Sequence, residues 1–204
     1  RGIIGNNRFS ISGYPCLYLG RSIYTCWEEL RRPAISNTWV TAFKFQKGLE
    51  ILDLRLCRKI DSLLEEESYY MLLPYILASS IRTHEENSVF KPEYIIPQLL
   101  LHSVIKKRQK YSGIIFTSTR RFMITSLEKA FIYDNLAIPV MSNKGSEYCK
   151  ELASFLQETN PICFEHELLK GNIDIESTLG ESSSLFSKYE VYLNKQDFFN
   201  ILNQ

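Results

Sequence analysis

The amino-acid sequence predicts an α+β fold in which a mixed β core is flanked by helices. Two observations favour this class. Short apolar or alternating segments, which are typical of strands, are interspersed with segments of helical periodicity. The two kinds of segment do not follow the regular βαβ order that builds a doubly wound parallel sheet. A chain of 204 residues matches one domain, so we expect these elements to share one core.

Six segments have the pattern of strands. Residues 38–46 are the clearest example, because Trp39, Thr41, Phe43 and Phe45 share one parity and would lie on one face of a sheet. The others are short apolar or alternating runs, several of them with an aromatic residue. In chain order, the predicted strands are residues 16–19, 38–46, 51–54, 113–116, 130–140 and 186–193.

Five segments have the pattern of helices. The first can begin at Ser22, or at Thr25 with Glu28 in the spacing of a capping box. We expect Pro74 to break the second helix and Pro97 to kink the third, because proline lacks the N–H that continues a helix. In chain order, the predicted helices are residues 22–32, 57–81, 92–108, 146–157 and the last ten.

Charge and hydropathy exclude several classes of protein. The chain has 24 basic and 23 acidic residues and a net charge of +1, so a nucleic-acid partner bound by bulk charge is not expected. Hydrophobic residues make up 45% of the chain, which excludes a disordered protein. Membrane-spanning and signal-peptide patterns are absent, so we expect no membrane contacts. Five cysteines without a Cys-x-x-Cys pair indicate reduced thiols, as in a cytoplasmic protein. The first residue, Arg1, leads us to expect a processed or truncated chain.

The residues that commonly bind metals or form disulfides follow no recognised pattern. Five cysteines, an odd number, include no Cys-x-x-Cys pair, and the three histidines lie far apart in the sequence. We therefore expect reduced thiols and no metal site. Gly-rich phosphate-binding motifs and the nucleophile elbow of the hydrolases are absent as well.

Three segments combine polar and aromatic residues in a way that packing alone does not require. The first spans residues 8–13 and is followed by Tyr18, and the second spans residues 25–29. The third spans residues 111–118, where a predicted strand ends on Ser118.

In their order and spacing these segments resemble the RES-domain family, which is named for an arginine, a glutamate and a serine. The matching residues are Arg8, Gly13, Tyr18-Leu19-Gly20, Thr25-Cys26, Glu29, Pro97-Gln98, Tyr111-Ser112-Gly113-Ile114 and Ser118. Gly20 and Cys26 stand where the family pattern has alanines, and Ser112 stands where it has an acidic residue. A late Asn-Leu-Val-Leu-Phe strand of the family is matched by residues 135–139, which begin with Asn135. Only the spacing selects Glu29 over Glu28.

The resemblance implies a fold, an activity and a set of site residues. It implies an ADP-ribosyltransferase-like fold with residues 1–165 as the catalytic domain. The resemblance does not reach residues 166–204, which we expect to form an extension packed on the same domain. It implies that NAD+ is a substrate whose nicotinamide–ribose bond is cleaved by hydrolysis or phosphorolysis. By the same resemblance the catalytic residues are Glu29, Arg8 and Ser118, and the NAD-binding residues are Arg8, Tyr18, Ser118 and Asn135.

These residue types suit that chemistry. Cleavage of the bond builds positive charge on the ribose carbon and ring oxygen, which a nearby carboxylate such as Glu29 stabilises. The fixed positive charge of Arg8 would bind a phosphate or a ribose edge. Tyr18 would stack on the cationic nicotinamide ring. Ser118 would bind the amide or a ribose hydroxyl, or orient the glutamate, and we do not expect it to be a nucleophile.

Three functions compete at this point. The first is an NAD+ glycohydrolase or phosphorylase that acts as a bacterial toxin, with a protein antitoxin as its partner and with oligomerisation left open. The second is an ADP-ribosyltransferase that modifies a protein or nucleic acid. The third is a non-catalytic binding domain. The first two would use the same residues and differ in the acceptor.

Overall fold

In the computed structural model, helices and strands alternate irregularly along the part of the chain that the structure describes. These residues are 7–11, 13–56, 60, 62–85, 88–106, 111–120, 133–140 and 149–169. The helices are α1 (Ile23–Glu29), α2 (Leu63–Ser80), α3 (Ile95–Lys106), α4 (Lys150–Phe155) and α5 (Phe164–Leu169). The strands are β1 (Cys16–Gly20), β2 (Trp39–Val40), β3 (Phe43–Phe45), β4 (Ile51–Leu54), β5 (Gly113–Thr117), β6 (Asp134–Pro139), β7 (Leu156–Glu158) and β8 (Ile162–Cys163). The predicted α+β class is therefore confirmed.

A four-stranded mixed sheet in the order β1-β6-β5-β4 forms the centre of the fold. β6 runs antiparallel to both β1 and β5, whereas β4 and β5 are parallel. Parallel neighbours need a long crossover connection, and the chain makes it through α2 and α3. As a result β1, β4 and β5 all end, and β6 begins, at the same end of the sheet.

The sheet separates two apolar cores, because successive side chains of a strand point to opposite faces. On one face Leu54, Ile114, Phe116 and Ala137 pack with Phe9 and with the inner faces of α2 and α3. On the other face the core consists of residues from the same strands together with one residue before β4 and one on α4. Its members are Leu49, Ile115, Leu136, Ile138 and Leu152.

The predicted strand over residues 38–46 is wrong as a single element. It consists of β2 and β3, which pair with β8 and β7 respectively in two separate two-stranded sheets. Between them Ala42 bonds to Thr159: its backbone N–H donates to the Thr159 side chain (3.1 Å), and its carbonyl accepts the backbone N–H of Thr159 (3.0 Å). The alternation of aromatic residues was present, but the sequence does not reveal where the partner strand changes.

Pro74 and Pro97 both lie within helices of the structure. α2 continues through Pro74 to Ser80, and Pro74 lies on its exposed face, where water can solvate the carbonyl that loses its partner. Pro97 is the third residue of α3, and an N–H in the first turn of a helix has no partner within that helix. The break that we predicted at Pro74 is therefore wrong, and Pro97 lies in a turn where its missing N–H costs α3 no hydrogen bond.

Several other predicted bounds change. The first helix begins at Ile23 with Ser22 as its cap and ends at Glu29, three residues before the predicted end. The helix predicted over residues 146–157 is α4, and the chain then continues as strand β7. The predicted strand at 186–193, the helix of the last ten residues and most of the extension 166–204 lie outside the described residues. Across the described part of the chain, no helix is long and apolar enough to cross a membrane.

Candidate active site

A cavity of about 780 Å³ lies at the end of the sheet where β1 and β5 end and β6 begins. The end of α1 forms one side of it, and residues that follow α2 form another. Basic residues predominate among its charged groups. They are Arg8, Arg31, Arg32, Arg82, Lys91 and Arg120, against the two acidic residues Glu28 and Glu29.

The carboxylate of Glu29, the last residue of α1, is held by two short hydrogen bonds. Ser118 donates its hydroxyl to Oε1 at 2.6 Å, and Asn135 donates Nδ2 to the same oxygen at 2.7 Å. The other oxygen, Oε2, lies 3.7 Å from Nε of Arg120, and the side chain is 35% exposed. The structure therefore fixes the carboxylate in orientation and still leaves it accessible from the cavity.

The two donors are placed by the ends of neighbouring strands. Ser118 directly follows β5, and its backbone N–H donates to Tyr133 O (2.8 Å), which extends the ladder towards β6 and Asn135. The hydroxyl of Ser118 accepts the backbone N–H of Arg120 (3.1 Å). That bond directs the hydroxyl hydrogen towards Glu29, so Ser118 is placed to orient the glutamate.

Glu28, the neighbouring acidic residue, has a different environment. Both of its oxygens accept Nε of Arg32, at 2.9 and 3.0 Å, and the same guanidinium lies 5.7 Å from the ring of Trp27. Consecutive helical residues point about 100° apart. This difference in direction explains why Glu29 and not Glu28 contacts Ser118.

Arg8 lies in the cavity wall, but both of its terminal nitrogens are hydrogen-bonded to other parts of the protein. Its Nη1 donates to the carbonyl of Ser79 in the last turn of α2 (3.0 Å), and its Nη2 donates to Thr119 Oγ1 (3.2 Å). The side chain of Gln98 supports the turn that carries Arg8 by donating to two of its carbonyls, Asn7 O and Ser10 O, both at 3.2 Å. Arg8 is 8% exposed, and burial lowers its pKa.

Tyr18, in the middle of β1, presents its ring to the cavity. Its hydroxyl accepts the backbone N–H of Phe9 at 3.2 Å, while 39% of the residue remains exposed. Burial raises the pKa of the phenol, so the hydroxyl stays neutral at physiological pH. An uncharged aromatic surface is therefore available next to the carboxylate.

An ionic cluster lies on the opposite face of the same strand ends, since Asp134 precedes Asn135 and points the other way. Nη2 of Arg55 lies 2.6 Å from Oδ2 of Asp53, and Nη1 of Arg55 lies 3.5 Å from Oδ2 of Asp134. Burial raises the pKa of Asp134 to about 7, although the nearby Arg55 and Arg21 oppose that change. Burial likewise lowers the pKa of Arg21 to about 10.

Sequence reasoning therefore named the residues that meet around Glu29, but it did not identify most of the basic residues of the cavity. Arg82 and Lys91 come from the connection between α2 and α3, and Arg120 follows β5. No spacing rule links them. Arg31 and Arg32, which follow the C-cap residue of α1, adopt left-handed backbone conformations (φ 64° and 53°). Glycine is the usual residue in such a position, so the sequence does not indicate this turn.

Comparison with known proteins gives one relative to describe. A protein of Bacillus subtilis (strain 168) named "Putative toxin YopC" is 36% identical over an alignment of 209 residues. The alignment includes 93% of this chain and 46% of the relative, so the chain spans about half the length of that protein. No family model matches the chain. No solved structure matches it.

Proposed function

We propose that this chain is an NAD+-degrading enzyme that cleaves the nicotinamide–ribose bond, and that it acts as a toxin. The observation that carries the proposal is the carboxylate of Glu29, which Ser118 and Asn135 hold at the wall of a cavity rich in basic residues. The resemblance to the RES-domain family supports the reaction. The name of the Bacillus subtilis relative supports the toxic role.

In this mechanism Glu29 stabilises positive charge. When the bond breaks, its electron pair leaves with the nicotinamide nitrogen, which becomes neutral, and the ribose carbon and ring oxygen become positive. A carboxylate that is already oriented stabilises this charge without reorganising during the reaction. The bonds from Ser118 and Asn135 hold Oε1 of Glu29 in place, so that the ribose would face Oε2, the oxygen that these two groups do not contact.

The remaining residues of the cavity would bind the substrate. The ring of Tyr18 can stack on the cationic nicotinamide, a contact worth about 0.5–2 kcal/mol. Arg8 anchors the turn beside the site to α2 and to Thr119. Water would then attack the ribose carbon and release a proton, which gives ADP-ribose, whereas inorganic phosphate would give ADP-ribose 1-phosphate.

The test is the rate of NAD+ loss with the unmodified chain and with Glu29→Gln. We expect the unmodified chain to consume NAD+ and the variant to be slower by about 10²–10³-fold, as for other groups that stabilise transition-state charge. Glu158→Gln is the matched control, because Glu158 lies exposed on β7 and does not line the cavity. Equal rates in Glu29→Gln and the unmodified chain would contradict the proposal.

The same assay separates the acceptors. A rate that depends on added phosphate indicates phosphorolysis, and free ADP-ribose without phosphate indicates hydrolysis. Mass spectrometry of candidate proteins after incubation with NAD+ tests the transferase alternative. An added ADP-ribose on a protein, with little free ADP-ribose, would favour transfer.

A toxin needs a neutralising partner, and we propose a protein antitoxin that covers the cavity. Arrest of growth in cells that express the chain alone, with growth restored by Glu29→Gln, is the expected result. Normal growth with abundant active protein would argue against the toxic role.

A further inference from the structure

The helix α2 is apolar on two opposite sides. Its inner side packs on the central sheet, where Ile76 and Ser79 are buried and Tyr69 and Leu72 contact the apolar core of that face. Its other side, which we call the outer face of α2, consists of large apolar residues that the described part of the chain leaves more than half exposed. These residues are Leu63, Leu64, Tyr70, Met71, Leu77 and, directly after the helix, Ile81.

This distribution of apolar residues is unusual for a helix that borders water. Such a helix normally has one apolar stripe and an opposite face of polar and charged residues, whereas a helix that is apolar all round is normally buried all round. The charged residues of α2 are confined to its start, as Glu65, Glu66 and Glu67, and residues 68–80 contain none. Tyrosine and methionine without charged neighbours are typical of the core of a protein interface.

The outer face of α2 has the size that a stable dimer needs. A standard protein interface buries about 800 Å² of accessible surface on each partner, and the six residues of the outer face, which are 52% to 80% exposed, present roughly that area. The largest apolar patch of an ordinary monomer is smaller, about 300–600 Å². Covering the outer face would therefore remove enough apolar surface from water to hold two proteins together.

Pro74 lies on the same side of the helix and leaves one helical carbonyl without its N–H donor. The hydroxyl of a tyrosine such as Tyr70 on an opposing helix can bond that carbonyl in place of water, and buried tyrosines usually have a hydrogen-bond partner of this kind. The interruption at Pro74 therefore does not oppose burial of the outer face.

The charge pattern favours a second copy of this chain as the occupant. A neutral apolar face is complementary to itself, so two copies can meet about a two-fold axis without burying like charges. A parallel pair of helices would bring the glutamates of both copies together, whereas an antiparallel pair keeps them at opposite ends. A membrane surface fits less well, because helices that lie on lipid headgroups are rich in Lys and Arg, and α2 has neither.

We propose that two copies of this chain form a dimer in which the outer faces of their α2 helices pack antiparallel. No residue of α2 lines the cavity, so this contact leaves both cavities open. The same helix supports the cavity wall, since the carbonyl of Ser79 in its last turn accepts Nη1 of Arg8 (3.0 Å). The inference does not depend on the reaction proposed above.

The first experiment is analytical ultracentrifugation of the unmodified chain over a range of micromolar concentrations. We expect a species with twice the mass of one chain and a Kd in the micromolar range or below, as for other interfaces of this size. This measurement needs no variant, so it does not depend on how variants fold. A single species with the mass of one chain over the whole range would overturn the inference.

The second experiment repeats the measurement with Met71→Glu and with Leu77→Glu. Each substitution places like charges of both copies in a desolvated interface, so we expect the Kd to rise at least about 100-fold, while circular dichroism shows the helices retained. Trp39→Glu is the matched control, because Trp39 is also large, apolar and exposed but lies on β2, in a different sheet. A dimer of unchanged affinity in both Met71→Glu and Leu77→Glu would overturn the inference.

Two further measurements test the arrangement and the alternative occupant. In an antiparallel pair of 18-residue helices, the middle positions lie close to the two-fold axis, whereas the two copies of Leu63 lie about 25 Å apart. Under mild oxidation Met71→Cys should therefore form a disulfide between copies above the level of the unmodified chain, and Leu63→Cys should not. Equal disulfide formation in both variants would indicate a parallel pair and overturn the antiparallel arrangement. A monomer that binds phosphatidylglycerol vesicles, and loses that binding in Met71→Glu, would assign the outer face to a membrane and overturn the inference.

Discussion

A close contact between β1 and α1 leads to a prediction about stability. A Cβ atom placed on Gly20 would lie 2.6 Å from Sγ of Cys26, 3.2 Å from the backbone nitrogen of Cys26, and 3.4 Å from Oδ1 of Asn135. The first distance is far below van der Waals contact, and the second is tight. Gly20→Ala should therefore destabilise the protein, even though alanine is normally better than glycine inside a strand.

The size of the effect follows from these distances. Overpacking by one methyl group in a closely packed region costs about 1–3 kcal/mol. Rotation of Cys26 can relieve the contact with Sγ only in part, because one χ1 rotamer is rare in helices. Cys26→Ala removes Sγ and with it the shortest contact. The double variant, which has the two alanines of the RES-domain pattern, should recover about 1–2 kcal/mol relative to the sum of the single variants.

The assay is urea denaturation of the unmodified chain, the two single variants and the double variant. The coupling free energy is obtained from the four unfolding free energies, provided that the m-values agree. A Gly20→Ala variant as stable as the unmodified chain, or strictly additive effects, would show that the backbone around β1 adjusts freely and that this reasoning is wrong.

Three further predictions follow from the described contacts. Ser118→Ala and Asn135→Ala should each lower kcat for NAD+ by about 10–100-fold, because each removes one hydrogen bond to a charged group; wild-type rates in both would exclude their role in orienting Glu29. The pKa of Asp134 is about 7 in the folded protein and 3.8 as its ordinary value, so the unfolded state loses this proton first. The unfolding free energy should then fall as pH rises from about 4 to about 7, by up to about 1.4 kcal/mol per pH unit from this group, and Asp134→Asn should remove that dependence in denaturation measured across this range. The unfolding free energy of Arg31→Val should be lower than that of Arg31→Gly by at least about 1 kcal/mol, because φ is 64° at this position and a β-branched residue is strained there. Equal melting temperatures of the two variants would contradict that backbone conformation.

The central strands could be predicted from the sequence because their signal is local. Residues 113–116 are wholly apolar and form β5, which is buried on both faces, and residues 51–54 coincide with β4. The segment 38–46 was predicted as one strand because the alternation of apolar and polar residues indicates a half-buried strand. The same alternation does not identify the strand with which each part of the segment pairs. Pro74 was predicted to break a helix, but packing on the side of Ile76 and Ser79 maintains that helix.

The candidate site was predictable where it follows a sequence pattern and not where it depends on tertiary structure. The pattern of the RES-domain family selected Glu29, and the structure places Ser118 and Asn135 against it. Arg82 and Lys91 lie in a connection whose position relative to β5 is set by the packing of α2 and α3. Their position in the cavity wall has no counterpart in local spacing.

The pairing of β1 with β6 has a consequence for synthesis of the chain. Gly20 pairs with Asn135, roughly 115 residues later, and a ribosome adds about 5–20 residues per second. Ser118 follows Glu29 by 89 residues, so for about 4–18 seconds the nascent chain contains Arg8, Tyr18 and Glu29 but neither of the two groups that orient the glutamate. A partner that binds the segment containing Glu29 as it emerges from the ribosome would therefore meet it before Ser118 and Asn135 have been made.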